Sequence, residues 1–549
     1  MTPFASDGFS PVSLRMNYSI VPSLPRGLDH RALLLAIAFL AVSFPLAWYA
    51  YRVLFYASAL PGPDVPNHLA IIRHIAEHKS LLFPISQFYP DDLGQGYYPT
   101  FMHAIVAAIH LVTGAGIVDV LKCFMFSVVV LGQPVYALLC VRLANGSPGR
   151  GLFMYLVLSF NTGMLLHTLR DGIYAELFAI WLLLPMLICC LLQRRTIWAG
   201  LLLAAIVASN IPASFGTAML VLSFLGLYVI EKRRHETKRV LKTILVAAVV
   251  ASPALYYCYL LMVINAAGGG LETYPQPLLA GYSNVYMALF VGGGLCSLAM
   301  MVFYRQRRWL AIWAALYVIL ILAPFLSGIS PRFIRQLSIP LSLCVGMVLY
   351  DGAKLLAGRV HSLGLWGRPA LKAQLGGIIL ALFAMAMIGD GVPSMASEAD
   401  PEYTYYFSPL KHEAYQWMNE QTVGQEEGVI TVVLMDPWAK VYLTRRVWEV
   451  GAPSLAAKDL SKLDRDINDD IVGALLSDPS PDALVERHIS YIILSSPLAN
   501  RWYQPENEEL VDTLLDTLGH KYRKHYDLVY YRHRGSESIR IYRMHVQPA

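Results

Sequence analysis

The sequence predicts a polytopic α-helical membrane protein of about eleven spans, followed by a water-soluble α/β domain of roughly 150 residues. Three observations predict it. The 549 residues are 56% hydrophobic and 15% charged, where a soluble domain averages about 45–50% and about 25%. The apolar excess is gathered into separate runs near the ~20 residues that cross a bilayer as a helix. From about residue 400 these runs give way to short alternating segments, the pattern of a small sheet with helices.

Residues 1–30 form a long polar stretch without a small-residue cleavage site after the first apolar run. They read as a cytoplasmic tail before an uncleaved first helix. The first span is 32–51, and the others fall near 119–141, 151–168, 174–192, 196–209, 213–230, 240–263, 284–304, 309–326, 333–350 and 374–391, giving a transmembrane domain over 31–395. Basic residues collect at every second junction: Arg142 to Arg150, Arg194-Arg195, Lys232 to Lys242, Arg305 to Arg308, and Lys354 to Lys372. Arg15, Arg26 and Arg31 of the tail fall on the same side. Excess Lys and Arg mark the cytoplasmic side, so the expectation is an inner (plasma) membrane protein with its C-terminal domain, 396–549, extracytoplasmic.

The segment from Tyr98 to Thr113 breaks the pattern. It is apolar but short for a span, and it holds His103 and His110. Counting it as a span would put the later basic loops outside. It therefore reads as an interfacial or re-entrant helix within a long first outer loop, 53–118.

In the C-terminal region, Pro409–Gln421 reads as a helix, Gly428–Met435 and Ile489–Ser495 as strands, Pro481–Arg487 and Asn507–Leu518 as helices, and Tyr526–Arg532 with Ile539–Met544 as a closing hairpin. All seven cysteines lie in apolar runs, so this domain folds without disulfides, and no zinc-type spacing is present. The net charge of +5 is too small to argue for nucleic acid as a partner.

Ionisable residues at the outer ends of spans are the first functional candidates in such a protein. The segment Leu60-Pro-Gly-Pro-Asp64-Val-Pro-Asn67-His68 follows the first span. Its Pro-Gly-Pro turn ends that helix, and Asp64 stands at a helix start four residues before His68. Asp64 reads as an N-cap or as a functional carboxylate. His68 reads as a packed histidine or as a metal ligand. The segment His167-Thr-Leu-Arg170-Asp171-Gly-Ile-Tyr174-Ala-Glu176 forms the turn between the third and fourth spans. Arg170 and Asp171 read as a local pair, or Asp171 and Glu176 as carboxylates aimed at the same outer cavity as Asp64. Arg332 and Arg335, three apart at the start of the tenth span, read as interfacial snorkelling or as a phosphate grip. The run Gly268-Gly-Gly270-Leu-Glu-Thr-Tyr-Pro has no phosphate-loop spacing and reads as a flexible connection.

These residues carry a resemblance. A first span, an outer-loop Asp and then an amphipathic stretch opening with Gly96-Tyr97-Tyr98-Pro99 resemble the GT-C glycosyltransferases, which include the protein O-mannosyltransferases and the lipid A aminoarabinose transferases. The pattern is most similar to a bacterial subset with an outer C-terminal domain, labelled 6-pyruvoyl-tetrahydropterin synthase-related membrane proteins. Motif likeness covers residues 60–100 and 165–180, with weaker echoes at Ser209 to Ala213 and Arg332 to Pro340. The resemblance implies a GT-C-like fold and inverting transfer of a sugar from a polyprenyl-phosphate donor to a cell-envelope glycan, lipid or protein acceptor. It implies Asp64 and Asp171 as catalytic carboxylates, Arg170, Arg332 and Arg335 at the donor phosphate, and His68, Glu176 and Tyr98 in support. Val65 stands where the family has a second acid, so the cofactor stays open between none and a divalent metal held by Asp64, His68 and Asp171.

Two other classes fit the same chain. A transporter or flippase of lipid-linked sugars would show inverted repeats and broken midplane helices, and no repeat is evident. A non-catalytic scaffold would bind glycan through the aromatic residues of 400–549, among them Tyr403, Tyr405, Trp438, Trp448 and Trp502.

Overall fold

The computed structural model of the chain describes residues 30–55, 60, 65–81, 99–160, 168–169, 172–256, 284–322, 330–362, 369–398, 409–421, 430–434, 447–450, 489–496, 526–534 and 537–544. Each predicted apolar run overlaps a helix within its described part. In chain order these are α1 (His30–Phe55), α2 (Val65–His78), α3 (Phe101–Thr113), α4 (Ile117–Leu143), α5 (Pro148–Ser159), α6 (Tyr174–Leu192), α7 (Thr196–Val207), α8 (Ile211–Ile230), α9 (Arg234–Val250), α10 (Asn284–Phe303), α11 (Arg308–Leu322), α12 (Ser330–Ser362) and α13 (Pro369–Glu398). Segments of α1, α4, α6, α8, α12 and α13 are long and apolar enough to cross a membrane. The rim of the bundle exposes Leu40, Phe44, Ile230, Phe303 and Leu382, as expected where hydrocarbon is the solvent.

Helix α3 is 13 residues, about 20 Å at 1.5 Å per residue, against ~30 Å of hydrocarbon. It packs on α2 and α4. Its first amide, Phe101 N–H, donates to the Ala208 carbonyl at 3.0 Å, which fastens α3 to the turn between α7 and α8.

Helix α12 is the axle of the bundle. Most of its spanning segment is buried, and it packs against α5, α8, α10, α11 and α13. Both α12 and α13 run well past the apolar runs that foretold them, because hydropathy marks only the stretch that meets lipid or core.

The basic junctions meet at one end. Arg150 and Tyr304 both engage the Asp351 carboxylate, the tyrosine at 2.7 Å. Arg307 donates to Asn145 at 2.8 Å, and Arg305 lies 3.8 Å from Glu231. The short turns here close alike. Arg195 N–H reaches the Cys190 carbonyl and Arg233 N–H the Tyr228 carbonyl, with Arg194 (φ 63°) and Lys232 (φ 55°) in the left-handed position. This is the Schellman closure, built here with basic residues.

Helix α6 is not a regular α-helix throughout. Phe178–Leu183 form a π-turn, which carries one extra residue per turn and frees backbone acceptors. Tyr136 Oη donates to the Ile180 carbonyl at 2.8 Å, and Trp181 Nε1 donates to the Val129 carbonyl at 3.0 Å. Pro185 then removes a further amide donor. Helix α4 therefore clasps α6 at its irregular turn.

The C-terminal domain holds α14 (Pro409–Gln421) and strands β1 (Ile430–Leu434), β2 (Val447–Val450), β3 (Ile489–Ser496), β4 (Tyr526–Arg534) and β5 (Glu537–Met544). The sheet order is β2-β1-β3-β5-β4. Strands β2, β1 and β3 run parallel, while β5 is antiparallel to both β3 and β4. Ile492, Ile493, Ile539 and Ile541 fill its core, and Trp417 of α14 rests on Tyr530 at 4.9 Å between ring centroids. The helix at 409–421, both long strands and the hairpin match the sequence reading. Strand β2 was not foreseen: four residues, with Glu449 among them, give too short an alternation to read. The helices expected at 481–487 and 507–518 lie outside the described residues.

Removing the Tyr136 hydroxyl should loosen the π-turn. Tyr136→Phe is expected to cost about 1 kcal/mol and to lower the thermal unfolding midpoint of the purified protein. An unchanged midpoint would mean that the Ile180 carbonyl is satisfied without it.

Candidate functional site

At the end opposite the basic turns, polar side chains from distant parts of the sequence converge. Helix α2 brings His68, α3 brings His103, and the first turn of α6 brings Tyr174 and Glu176. Helix α11 brings Tyr317, and the first turns of α12 bring Arg332, Arg335 and Gln336. The turn before α6 is closed by Ile173 N–H on the Thr168 carbonyl and Gly172 N–H on the Leu169 carbonyl, with Gly172 at φ 72°. This Schellman geometry presents the Gly172 carbonyl to His68.

His68 and His103 are both buried. His68 Nδ1 lies 2.8 Å from His103 Nε2, and the His68 ring stacks on Tyr174 at 5.8 Å. Within the pair one ring nitrogen donates and the other accepts, while His68 Nε2 is buried with no hydrogen-bond partner among the described residues. Burial lowers the pKa of His68 from 6.5 to about 4; the Gly172 carbonyl opposes the shift and the Arg332 charge adds to it. Burial, and then the neighbouring His68, hold His103 well below the ordinary histidine range. Both rings are thus neutral at physiological pH.

A second group surrounds Glu176, which is 1% exposed. Its Oε1 accepts from Gln336 Nε2 at 2.9 Å, and Gln336 Oε1 accepts from Tyr317 Oη at 3.1 Å. Arg332 Nη1 stands 4.0 Å from Glu176 Oε2. The chain of donors ends at Gly216 on α8. A Cβ there would fall 2.1 Å from Tyr317 Oη and 2.3 Å from Gln336 Oε1, so only glycine admits the phenol and the amide. Gly216 also gives its carbonyl to Trp313 Nε1 at 3.1 Å.

The two groups are coupled through charge. Arg332 pairs with Glu176 and acts on His68. It is about one-third exposed, whereas Arg335, one turn on, is buried. A buried carboxylate beside a partly exposed guanidinium makes a dipole whose positive pole faces outward. That pole can hold an oxyanion.

Of the predicted site residues, His68, Glu176, Arg332 and Arg335 are found in this region, the first three in one coupled cluster. Asp64, Tyr98, Arg170 and Asp171 lie outside the described residues, as does the Gly268 to Pro275 segment. Of the expected metal ligands Asp64, His68 and Asp171, His68 alone lies within the described residues, and its Nδ1 meets His103 Nε2. Among the described residues, His, Cys, Asp and Glu side chains nowhere gather in threes as a metal site. The sequence reading missed Gln336, Tyr317, Tyr174 and Gly216, and gave His103 no role. The signal for Gln336 was there: an amide inside an apolar span needs a partner.

No protein-family model matches the chain, and no curated protein matches it by sequence. Its structure is similar to that of the Archaeoglobus fulgidus oligosaccharyltransferase, solved tethered by a disulfide to an acceptor peptide containing the NVT sequon; identity is 13% over 90% of this chain and 72% of that one, with a TM-score of 0.54. It is similar to ArnT from Cupriavidus metallidurans bound to undecaprenyl phosphate, at 12% identity over 93% and 98% of the two chains and a TM-score of 0.52. It is also similar to the arabinofuranosyltransferase AftD from Mycobacteria, at 14% identity over 95% of this chain and 40% of that one, with a TM-score of 0.55. The likeness is one of fold: the chain shares the helical architecture of these proteins and carries a C-terminal α/β domain.

Two outcomes test the site. Gly216→Ala should force Tyr317 and Gln336 apart and cost about 1–3 kcal/mol, read as a lower unfolding midpoint; pairing it with Tyr317→Phe should recover part of the loss. An undiminished Gly216→Ala midpoint would show the contact to be slack. Acid should also destabilise the fold. The unfolded chain takes up the His68 proton near pH 6.5 and the folded chain only near 4, so stability falls as pH drops between these values, by up to about 1.4 kcal/mol per pH unit for this group. His68→Asn keeps an acceptor for His103 without titrating, and should flatten the profile over that window.

Proposed function

We propose that the chain is a membrane glycosyltransferase that moves a sugar from a polyprenyl-phosphate carrier to a cell-envelope glycan, lipid or protein acceptor. The proposed face is the extracytoplasmic side of the inner membrane. The observation that carries this reading is the outward-facing Arg332, anchored by the buried Glu176, within a fold shared over nearly the whole of both chains with a protein bound to undecaprenyl phosphate. The motifs around residues 60–100 and 165–180 support placing it in the 6-pyruvoyl-tetrahydropterin synthase-related subset.

The chemistry is a single displacement. The acceptor hydroxyl oxygen attacks the anomeric carbon, the bond from that carbon to the phosphate oxygen breaks, and the hydroxyl proton passes to Asp64. Polyprenyl phosphate leaves with an added negative charge, which Arg332, with Arg170 and Arg335, would stabilise. Glu176, Gln336 and Tyr317 would hold Arg332 at a fixed angle, so no reorganisation is needed as that charge appears. Asp171 would orient the acceptor. Contact between α2 and the turn at Gly172 supports this assignment, because Asp64 and Asp171 directly precede those two segments.

Purified protein given a polyprenyl-phosphate-linked sugar and a candidate acceptor should release polyprenyl phosphate. Asp64→Asn should lower transfer at least about 10²-fold with a wild-type unfolding midpoint, and Arg332→Gln by about 10²-fold with a lowered midpoint, since it unmatches Glu176. Full activity in Asp64→Asn would remove the base. Uptake of unaltered substrate into sealed vesicles, without transfer, would instead mark a carrier.

A further inference from the structure

The basic end holds a feature that the transfer chemistry does not use. A small cleft opens between α6, α7, α8 and α9. Arg194, Arg195 and Arg239 line it, with Glu236 as the single acid among its lining side chains. Glu236 Oε1 lies 2.9 Å from Arg194 Nη2, and its Oε2 lies 3.5 Å from Arg239 Nη1. One carboxylate cannot neutralise three guanidiniums, so the cleft keeps a positive excess. Its deeper wall is apolar, formed by Ala199, Phe224 and Val240.

We propose that this cleft binds the phosphate of an anionic membrane lipid. Guanidiniums are suited to phosphate because their paired N–H groups match two oxyanion oxygens. The apolar surroundings decide the source of that phosphate. Trp198, the residue before the lining Ala199 on α7, is 62% exposed, the kind of aromatic that sits at a membrane interface. The helix that carries it belongs to the apolar bundle, so it offers a track for an acyl chain beside the arginines. A free phosphate ion would use the arginines and leave this track idle. The site stands apart from the proposed transfer centre, and its test does not depend on that reading.

The test uses the full chain in phosphatidylcholine nanodiscs, with phosphatidylglycerol added in steps and the unfolding midpoint recorded. The midpoint should rise with phosphatidylglycerol in wild-type protein. The pair Arg195→Gln with Arg239→Gln should shift the lipid titration at least about tenfold toward higher content. Arg308→Gln, at another basic turn, should leave the titration unchanged. An equal loss in Arg308→Gln would reveal diffuse surface charge and overturn the site, as would no response in wild-type protein. The same rise from inorganic phosphate alone would overturn the lipid as ligand and assign a soluble one.

Discussion

A carboxylate buried among membrane helices is the constraint on which the polar end of this protein depends. Leaving Glu176 unmatched would be costly. The chain meets this by bringing two helices to it from far along the sequence. Gln336 supplies a hydrogen bond and Arg332 a charge, both from α12, while Tyr317 of α11 secures the amide behind them. The requirement spreads outward: Gly216 must lack a side chain, and α12 must hold its rotation so that residues 332 and 336 face α6. One acid thereby fixes the mutual orientation of α6, α8, α11 and α12.

The histidine pair answers a different need. Helices α2 and α3 lie outside the long spans. A neutral, stacked and hydrogen-bonded imidazole pair ties them together and to the turn before α6. The pairing fails once both rings are charged, since that would place two cations 2.8 Å apart. The segments beside the proposed acceptor entrance are therefore held by contacts that act at neutral pH.

Much of this architecture was legible in the sequence because lipid imposes a simple rule. Runs of apolar residues marked the helices, and Arg-rich turns marked one end. The α/β domain showed through Ile489–Ser496 and the 526–544 hairpin, whose alternation is strong. The site was legible in part. Glu176 and Arg332 stood out as charges at span ends, and His68 through its place after a Pro-Gly-Pro turn. Gln336 and Gly216 were hidden for opposite reasons. An amide is a weak signal beside two arginines, and a glycine needed for close approach looks like any other glycine in a membrane helix. The parallel pairing of β2 and β1 was also hidden, since a strand of four residues gains its identity only from the neighbour it joins.

The π-turn in α6 has a consequence for how such a protein can change over time. An inserted residue is absorbed locally at Phe178–Leu183, so the helix faces on its two sides are not locked to one angular phase. The turn of α6 that carries Glu176 answers to the polar cluster, while the stretch from Leu184 onward answers to its neighbours near the basic turns. Substitutions can accumulate in either half without turning the other. A single helix thus serves as two semi-independent parts, leaving the end that carries Glu176 free to change while the opposite end keeps its anchorage.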